Sequence, residues 1–293
     1  MKHMLLKARN GLFVSAVAGF MLVGWSLSAS AQNCTTANWT SAVGLADGVD
    51  NATGNVGTPP TFRRYAGPCA LRVPVDGTAR YVIDDSPAAE SSYIARFYVF
   101  LNNSGSAPIV LFEALGSGDA AQLRLTYTAP NLTLEIFNNG QTQSRQFTNL
   151  ENGWQSVELS WAQGATANVS LTLNGDTLTA EGVDTAGRTI ERVRMGNVAA
   201  AGVAQASTTV DFDDFDSRRS SNPGRLCRGL TDQTRDSLTF GDAIAIFSDA
   251  SSAAFVAPGQ PDYDENGLVT FGDAIAVFNR AAGASTRPCA ANR

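Results

Sequence analysis

Six oxygen-bearing positions in one short segment near the C-terminus have the spacing of a calcium site. Residues 262–273 read Asp-Tyr-Asp-Glu-Asn-Gly-Leu-Val-Thr-Phe-Gly-Asp. Twelve-residue calcium loops take oxygen ligands from positions 1, 3, 5, 7, 9 and 12 and need glycine at position 6. With Gly267 at the turn, the sequence predicts one Ca²⁺ site; the alternative is a solvated acidic turn. The six ligand positions are Asp262, Asp264, Asn266, the Leu268 carbonyl, Thr270 and Asp273.

The segment that follows this loop occurs twice in the chain. Residues 239–247, Thr-Phe-Gly-Asp-Ala-Ile-Ala-Ile-Phe, return 31 residues later at 270–278 with eight of nine positions identical. In each copy an isoleucine and a phenylalanine lie three residues apart, which predicts a short amphipathic helix. We expect the two helices to bury these stripes against each other. The stripe residues are Ile244 with Phe247 and Ile275 with Phe278.

The loop before the first copy departs from the calcium pattern. Aligned on Asp242, it has Thr231, Gln233 and Arg235 at positions 1, 3 and 5, and Asp236 where glycine is needed. An arginine at a ligand position opposes cation binding, so we expect this loop to hold no metal. We further expect Arg235 to supply the positive charge internally by pairing with Asp242 or Asp236.

The charge balance excludes several kinds of chemistry. The first 31 residues contain the single histidine, both lysines and one arginine, which leaves 18 arginines against 27 acidic residues, a net charge of −9. A chain without lysine or histidine cannot use histidine acid–base catalysis, a Schiff base, a P-loop lysine or His-ligated zinc. The acidic balance also argues against a nucleic-acid partner.

The N-terminal segment 1–31 has the pattern of a secretory signal peptide. A basic start precedes an apolar run over residues 11–27 and the small residues Ala29, Ser30 and Ala31. We therefore expect an extracellular or periplasmic protein cleaved near Ala31. The run is slightly short for a membrane anchor and no second run approaches its length, so no stable membrane span is expected.

All four cysteines follow this segment, and an even number in an exported chain indicates two disulfides. Three pairings are open. Cys34 with Cys69 and Cys227 with Cys289 are favoured, because each pair then links residues within one compositional region.

The middle of the chain indicates an antiparallel β-sandwich or jelly roll. From about residue 70 to 217, apolar residues alternate with polar ones, and Gly, Asn and Pro interrupt the pattern at short intervals. Asn174-Gly175 between two alternating segments predicts a type I′ hairpin. A Pro/Gly/Ser-rich linker then precedes the helical repeat. We expect a mainly β chain with a signal peptide at 1–31, a sandwich at 32–218, a linker at 219–226 and a small α-helical calcium-binding module at 227–293.

Four short motifs of the sandwich resemble the concanavalin A-like (laminin G-like) jelly-roll superfamily. They are Gly-Trp-Gln-Ser-Val-Glu-Leu-Ser-Trp at 153–161, Leu-Thr-Leu-Asn-Gly at 171–175, Val-Arg-Met-Gly at 193–196 and Asp-Phe-Asp-Asp-Phe at 211–215. That superfamily contains lectins, carbohydrate-binding modules, adhesive domains and glycosidases. The resemblance therefore implies a fold and leaves the function open.

Residues 227–289 resemble the dockerin type I family, a group with EF-hand-type loops. The resemblance rests on aspartate at loop position 12, a helix directly after the loop and a tandem repeat without an entering helix. It implies docking into a cohesin-like partner. Phe-Gly at 240–241 and 271–272 stands where dockerins often carry small polar partner-reading residues. The alternative is a calcium-stapled terminal module that caps the chain or packs on the sandwich.

The last alternating segment raises the question of glycoside hydrolysis. The Glu-x-Asp-x-(x)-Glu motif of the jelly-roll glucanases is absent, and Asp211 and Asp213 come nearest to a carboxylate pair, about 7 Å apart on one strand face. We expect Phe212 to face the core and the aspartates, with Asp214 and Asp216, to face solvent or to protect a sheet edge. A calcium site built partly from them is a weaker alternative. No catalytic residue is assigned.

Four aromatic residues are candidates for stacking against a sugar: Trp39, Tyr65, Tyr93 and Trp154. The alternative is that they fill the core, as large aromatic side chains usually do. The preferred function is an exported calcium-binding protein whose non-catalytic sandwich binds an extracellular glycan or surface protein. Two alternatives remain open. The first is a glycoside hydrolase or a component of a polysaccharide-degrading assembly docked through the helical module. The second is a purely structural surface protein.

Overall fold

The computed structural model describes residues 34–45, 63–67, 69–102, 107–199, 209–231, 237–251 and 259–283. The predicted signal peptide lies outside these residues. None of the described helices is long and apolar enough to cross a membrane.

Within the described ranges the chain forms thirteen strands and two α-helices. The strands are β1 (Ser41–Val43), β2 (Leu71–Pro74), β3 (Arg80–Asp84), β4 (Ser92–Leu101), β5 (Ile109–Leu115), β6 (Ala121–Thr128), β7 (Asn131–Phe137), β8 (Thr142–Phe147), β9 (Gly153–Ala162), β10 (Ala167–Leu173), β11 (Asp176–Val183), β12 (Arg192–Asn197) and β13 (Thr209–Arg218). The helices are α1 (Phe240–Ser251) and α2 (Phe271–Ala282).

The strands form two antiparallel sheets that pack face to face, which confirms the predicted β-sandwich. One sheet has the order β1-β3-β12-β5-β6-β7-β8, and the other has the order β11-β10-β9-β4-β13-β2. Strand β7 illustrates how alternation builds the core, because its residues 132, 134 and 136 are fully buried while their neighbours are partly exposed. Between the sheets Phe97 lies 5.6 Å from Phe112 and 6.2 Å from Phe212, measured between ring centroids.

Two local predictions about the sandwich are confirmed. Asn174 and Gly175 have φ values of +53° and +104°, and Leu173 pairs directly with Asp176, as a two-residue hairpin requires. The Cys34–Cys69 disulfide is present, with the two Cα atoms 5.6 Å apart. Cys227 is buried, and Cys289 lies outside the described residues, so the second pairing stays a prediction.

The position of β13 differs from the expectation. Phe212 faces the core as predicted, but β13 lies between β4 and β2 and is therefore not a sheet edge. Its outer face is also not open to solvent, because Asp211 is only 1% exposed. Residues 63–67, which we call the strap, cover this face: the backbone N–H groups of Tyr65 and Ala66 donate to Asp213.

The two helices pack through a different face from the predicted one. Their buried side chains are Ala243, Ile246, Ala274 and Val277. Ile244 and Ile275, which belong to the predicted stripes, are 67% and 60% exposed. The predicted pairs and the pairs that are buried have the same three-residue spacing, so periodicity does not distinguish them. The alanines decide the outcome, because their small side chains let the helices approach closely.

Two isoleucines of α1 provide a matched test of this packing. Ile246→Ala should lower the free energy of unfolding by about 2–5 kcal/mol, because it leaves a cavity at a fully buried position. Ile244→Ala should change it by no more than about 0.5 kcal/mol, because that side chain is exposed. Denaturant titration followed by circular dichroism measures both variants. Equal losses would contradict the assignment of the buried face.

Candidate functional site

Three carboxylates of the predicted calcium loop, residues 262–273, converge. Oxygen atoms of Asp262, Asp264 and Asp273 all lie within 4.8 Å of one another. The sharp turn between them uses Gly267, whose φ of +92° is the left-handed conformation that glycine adopts readily. The local sequence thus folds three acidic side chains towards one point.

Asp273 is held in place by the start of α2. Thr270 is the N-cap residue of that helix, and both its backbone N–H and its hydroxyl donate to Asp273 Oδ2 at 2.8 Å. The other oxygen, Oδ1, accepts from the backbone N–H groups of Tyr263 at 2.8 Å and Asp264 at 3.3 Å. This capping box fixes the last ligand position relative to the first part of the loop.

Asp262 is buried and is held by the backbone of the turn. Its Oδ2 accepts from Gly267 N–H at 2.7 Å, and its Oδ1 accepts from Asn266 N–H at 3.2 Å. Burial, reinforced by the charge of Asp273, raises the pKa of Asp262 well above its usual value. Burial also raises the pKa of Asp273. A bound cation would relieve this like-charge repulsion in a low-dielectric setting.

The remaining predicted ligand residues lie in the same loop. Asn266 and Asp264 are exposed, and the Asn266 amide donates to Asp264 Oδ2 at 2.8 Å. Asn266 Oδ1 in turn accepts from Leu268 N–H at 2.8 Å. The Thr270 hydroxyl is engaged in the helix cap, where it also accepts from Gly272 N–H at 3.1 Å. The set is rich in hard oxygen donors, which suit Ca²⁺.

The first loop is arranged without such a cluster in its described part. Thr231 stands where the second loop has Asp262, and its N–H and hydroxyl donate to Asp242 Oδ1 at 2.9 and 2.7 Å. Thr239 donates to Oδ2 of the same carboxylate at 2.8 and 2.9 Å. Hydrogen-bond donors therefore hold Asp242 much as they hold Asp273 in the second loop, and the absence of metal from the first loop stays a prediction. Gln233, Arg235 and Asp236 lie outside the described residues.

Glu265 is a residue of the calcium loop that sequence reasoning missed. Its carboxylate accepts from the Tyr65 hydroxyl at 2.6 Å and from Arg225 at 3.1 Å, and it also pairs with Arg228. Only 9% of the residue is exposed. Loop position 4 is not a ligand position, so the calcium pattern contains no sign of this role. The contacts attach the loop to the strap, to Arg225 of the linker and to Arg228 at the start of the helical module.

The calcium loop packs against the outer face of the six-stranded sheet. A Cβ atom at Gly267 would lie 2.8 Å from Arg63 Cδ and 2.9 Å from Phe100 Cε2, so only glycine fits there without a shift. Beneath it, Tyr65 stacks on Tyr98 with ring centroids 3.6 Å apart. The backbone N–H of Trp154 donates to the Glu265 carbonyl at 3.4 Å. The loop and the sheet are therefore in direct contact.

Only one of the four candidate sugar-stacking aromatics is partly exposed. Tyr65, Tyr93 and Trp154 are 0%, 1% and 3% exposed, so they fill packed regions, as in the alternative interpretation. Trp39 is partly exposed and packs against Phe215, with ring centroids 5.0 Å apart. It lines an open cleft of about 430 Å³, which we call the Trp39 cleft. The polar residues of this cleft include Asn38, Asp84, Asp213 and Asp214.

The aspartates of β13 are engaged in structural contacts. Asp211 accepts from Arg72 Nε at 2.6 Å and from its Nη2 at 3.2 Å. Asp213 accepts three backbone N–H groups, from Tyr65, Ala66 and Asp214. Burial raises the pKa of Asp213 to about 8. Because its oxygens already bind these donors, the raised value reflects packing under the strap.

The helical module has an exposed apolar face, which we call the helix face. It consists of six large side chains with exposures from 40% to 67%. They pair across the helices, with ring centroids 5.0 Å apart for Phe240 and Phe278 and 4.9 Å apart for Phe247 and Phe271. The six are Phe240, Ile244, Phe247, Phe271, Ile275 and Phe278.

No protein-family model and no curated protein matches the chain. Among solved structures, the receptor binding domain of botulinum neurotoxin mosaic serotype C/D has a TM-score of 0.41 at 11% identity, over 59% of this chain and 41% of that chain. The botulinum serotype D ligand binding domain in complex with N-acetylneuraminic acid has a TM-score of 0.43 at 13% identity, over 64% and 49%. Alginate lyase A1-II′, of polysaccharide lyase family-7, has 0.39 at 15% identity, over 53% and 80%.

The present chain thus spans less than half of the length of these two toxin domains.

Proposed function

We propose that the protein is an exported calcium-binding protein whose β-sandwich binds an extracellular glycan or surface protein without catalysis. The observation that carries the proposal is the convergence of Asp262, Asp264 and Asp273 within 4.8 Å, in a loop with calcium-ligand spacing. The ligand set is completed by Asn266, the Leu268 carbonyl and Thr270. One ion is expected, because the first loop has threonine at its first ligand position.

The donor set fits calcium better than other common ions. All the candidate ligands are oxygen atoms, and Ca²⁺ takes six to eight of them in flexible geometry, whereas Mg²⁺ demands near-ideal octahedral coordination. When bound, the ion supplies positive charge that offsets the repulsion among the three carboxylates. The chain's own residues do the rest: Thr270 orients Asp273, and Glu265 holds the loop on the sandwich. Calcium is therefore expected to stabilise the docked module.

Asp262→Ala in the full chain tests the calcium site. Isothermal titration calorimetry should find one Ca²⁺ per wild-type chain and none in the variant. Calcium at 100 times its Kd should stabilise the wild type by about 2.7 kcal/mol, so a chelator lowers its Tm. The variant should melt lower in calcium and be insensitive to chelator.

The matched control is Glu181→Ala, which removes an exposed carboxylate of β11 and should behave like the wild type. Wild-type-like calcium binding and melting in the Asp262 variant would refute the calcium assignment. Two tight ions per chain would refute the assignment of the first loop as metal-free.

On the sandwich, the Trp39 cleft is the best-formed place for a glycan near a partly exposed aromatic ring. An aromatic face stacks on the apolar face of a sugar, while Asn38 and Asp84 supply hydrogen-bonding groups beside it. Hydrolysis is disfavoured because Asp211 is paired with Arg72 and Asp213 is bound to backbone N–H groups. Neither carboxyl group is free to shuttle a proton as a glycosidase acid must.

Trp39→Ala should weaken glycan retention by about tenfold, because a lost aromatic stacking contact costs roughly 1–1.5 kcal/mol. Binding to a printed glycan array, followed by titration with the best oligosaccharide, measures the effect. Phe278→Ala, which truncates an exposed aromatic of the helix face, is the control and should bind normally. Release of reducing ends from polysaccharide by the wild type would instead support the hydrolase alternative.

The exposed helix face favours a second function, docking of the module to a cohesin-like domain. Its six side chains expose on the order of 600 Å² of apolar surface, since each presents about 200 Å² when fully open. Patches of that size on soluble proteins usually mark an interaction site. The dockerin resemblance of residues 227–289 indicates a protein partner of the cohesin type rather than a second copy of this chain.

The double variant Ile244→Asp/Ile275→Asp tests this docking. Both positions are exposed, so folding and calcium binding should be retained, while binding to a panel of purified cohesin domains should fall by about a hundredfold, because charges are placed in an apolar interface. Surface plasmon resonance gives the affinities. Failure of the whole panel to bind the wild type, or concentration-dependent dimers in light scattering that the variant abolishes, would reject the cohesin-type partner.

A further inference from the structure

A second cleft lies where the calcium loop meets the sandwich, and neither the calcium site nor the Trp39 cleft accounts for it. Its volume is about 430 Å³, within the roughly 300–1,000 Å³ typical of small-molecule sites. It lies among three segments: the β8–β9 connection at 148–152, the hairpin turn at 174–176, and the calcium loop at Asp264 and Glu265. We call it the loop cleft.

The rim of the loop cleft carries polar side chains with free hydrogen-bonding capacity. All are exposed, and within the described part of the chain none of these side chains hydrogen-bonds to another group. Their amide and hydroxyl groups can both donate to and accept from a ligand, and their carboxylates can accept. These rim residues are Thr148, Asn149, Glu151, Asn152 and Asp176.

The wall and floor of the cleft combine an apolar surface with an unused donor. Phe147, Leu173 and Trp154 contribute apolar atoms to the lining. Trp154 is 3% exposed, and its indole Nε1 is buried without a hydrogen-bond partner among the described residues. A buried donor without a partner is uncommon in a native fold. An apolar floor beneath polar rims suits a ligand with both hydroxyl groups and C–H faces.

The charges at the cleft select among ligand classes. Glu151 and Asp176 are acidic and make no ion pair within the described residues, and Asp264 adds a third carboxylate. The nearby cation, Arg228, is already paired with Glu265. An anionic ligand would meet net negative charge, whereas hydroxyl groups can donate to these carboxylates. The balance therefore favours a neutral polyhydroxylated molecule.

We infer that the loop cleft is a binding site for a neutral glycan, formed jointly by the sandwich and the calcium loop. The inference rests on the proposed calcium site, because calcium would fix Asp264 and hence one wall of the cleft. Asn152 and Asp176 provide the hydrogen bonds that orient the sugar hydroxyls. Binding at the loop cleft therefore depends on calcium, whereas the described lining of the Trp39 cleft contains no residue of the calcium loop.

The experiment uses the full chain with a printed array of neutral, sialylated and uronic-acid glycans, followed by calorimetric titration with the best neutral oligosaccharide. Asn152→Ala and Asp176→Ala should each weaken the calcium-dependent part of neutral-glycan binding by about tenfold, because each removes hydrogen bonds to the ligand. Both side chains are exposed, so folding and the calcium affinity should be unchanged. A chelator should weaken wild-type binding by about tenfold or more.

Glu181→Ala is the matched control, because Glu181 is an exposed carboxylate of the same strand as Asp176 but does not line the cleft. Equal losses in Glu181→Ala and Asp176→Ala would overturn the inference. So would a preference for anionic glycans, or neutral-glycan binding that only Trp39→Ala weakens. Calcium binding accompanied by any of these results leaves the proposed calcium site standing, whereas absence of calcium binding in the parallel titration overturns both.

Discussion

One buried carboxylate, that of Glu265, joins the calcium loop to the rest of the molecule. It receives the Tyr65 hydroxyl from the strap and the guanidinium groups of Arg225 and Arg228 from the segment entering the module. A buried acceptor shared by three donors is costly to remove, because each donor would lose its partner in a poorly solvated place. The neighbouring Gly267 completes the attachment, since a larger residue would collide with Arg63 and Phe100. Within this one loop, Asp262, Asp264 and Asp273 converge on one another, whereas Glu265 contacts the strap and the two arginines.

The strap at residues 63–67 extends this attachment across the sheet. Arg63 lies 4.3 Å above the Phe100 ring, and Arg64 forms a buried ion pair of 2.6 Å with Asp249 of α1. The backbone of the strap satisfies Asp213. The acidic side chains of β13 resemble a catalytic pair in the sequence. In the structure they instead bind the strap and, through it, the helical module. A retaining glycosidase needs a proton donor and a nucleophile facing the same substrate, and carboxylates bound in this way provide neither.

The features that could be predicted from sequence are those determined by near neighbours. Alternation within strands, the Asn174-Gly175 turn and the ligand spacing of the calcium loop all arise over a dozen residues or fewer. The partners of Asp211 and Asp213 in β2 and in the strap are instead 139 to 148 residues away, so no local pattern reveals that these aspartates are covered. The prediction of which helix side chains are buried is wrong for another reason. Ile244 with Phe247 and Ala243 with Ile246 have the same three-residue spacing, and hydrophobicity alone favours the larger pair. Close approach of the helices requires the small alanine side chains, so the pair that contains alanine is the one that is buried.

The two copies of the repeat differ in the residues of their loops but share the exposed residues of the helix face. The second loop places three carboxylates together, whereas the first has Thr231 in the place of Asp262, and the Thr231 hydroxyl donates to Asp242. Yet both copies keep phenylalanine and isoleucine at the same exposed positions, 240 and 244 in one and 271 and 275 in the other. Burial does not explain these side chains, because the helices pack through Ala243, Ile246 and their counterparts. The same exposed apolar side chains therefore occur in both copies, whether or not the preceding loop carries the three carboxylates.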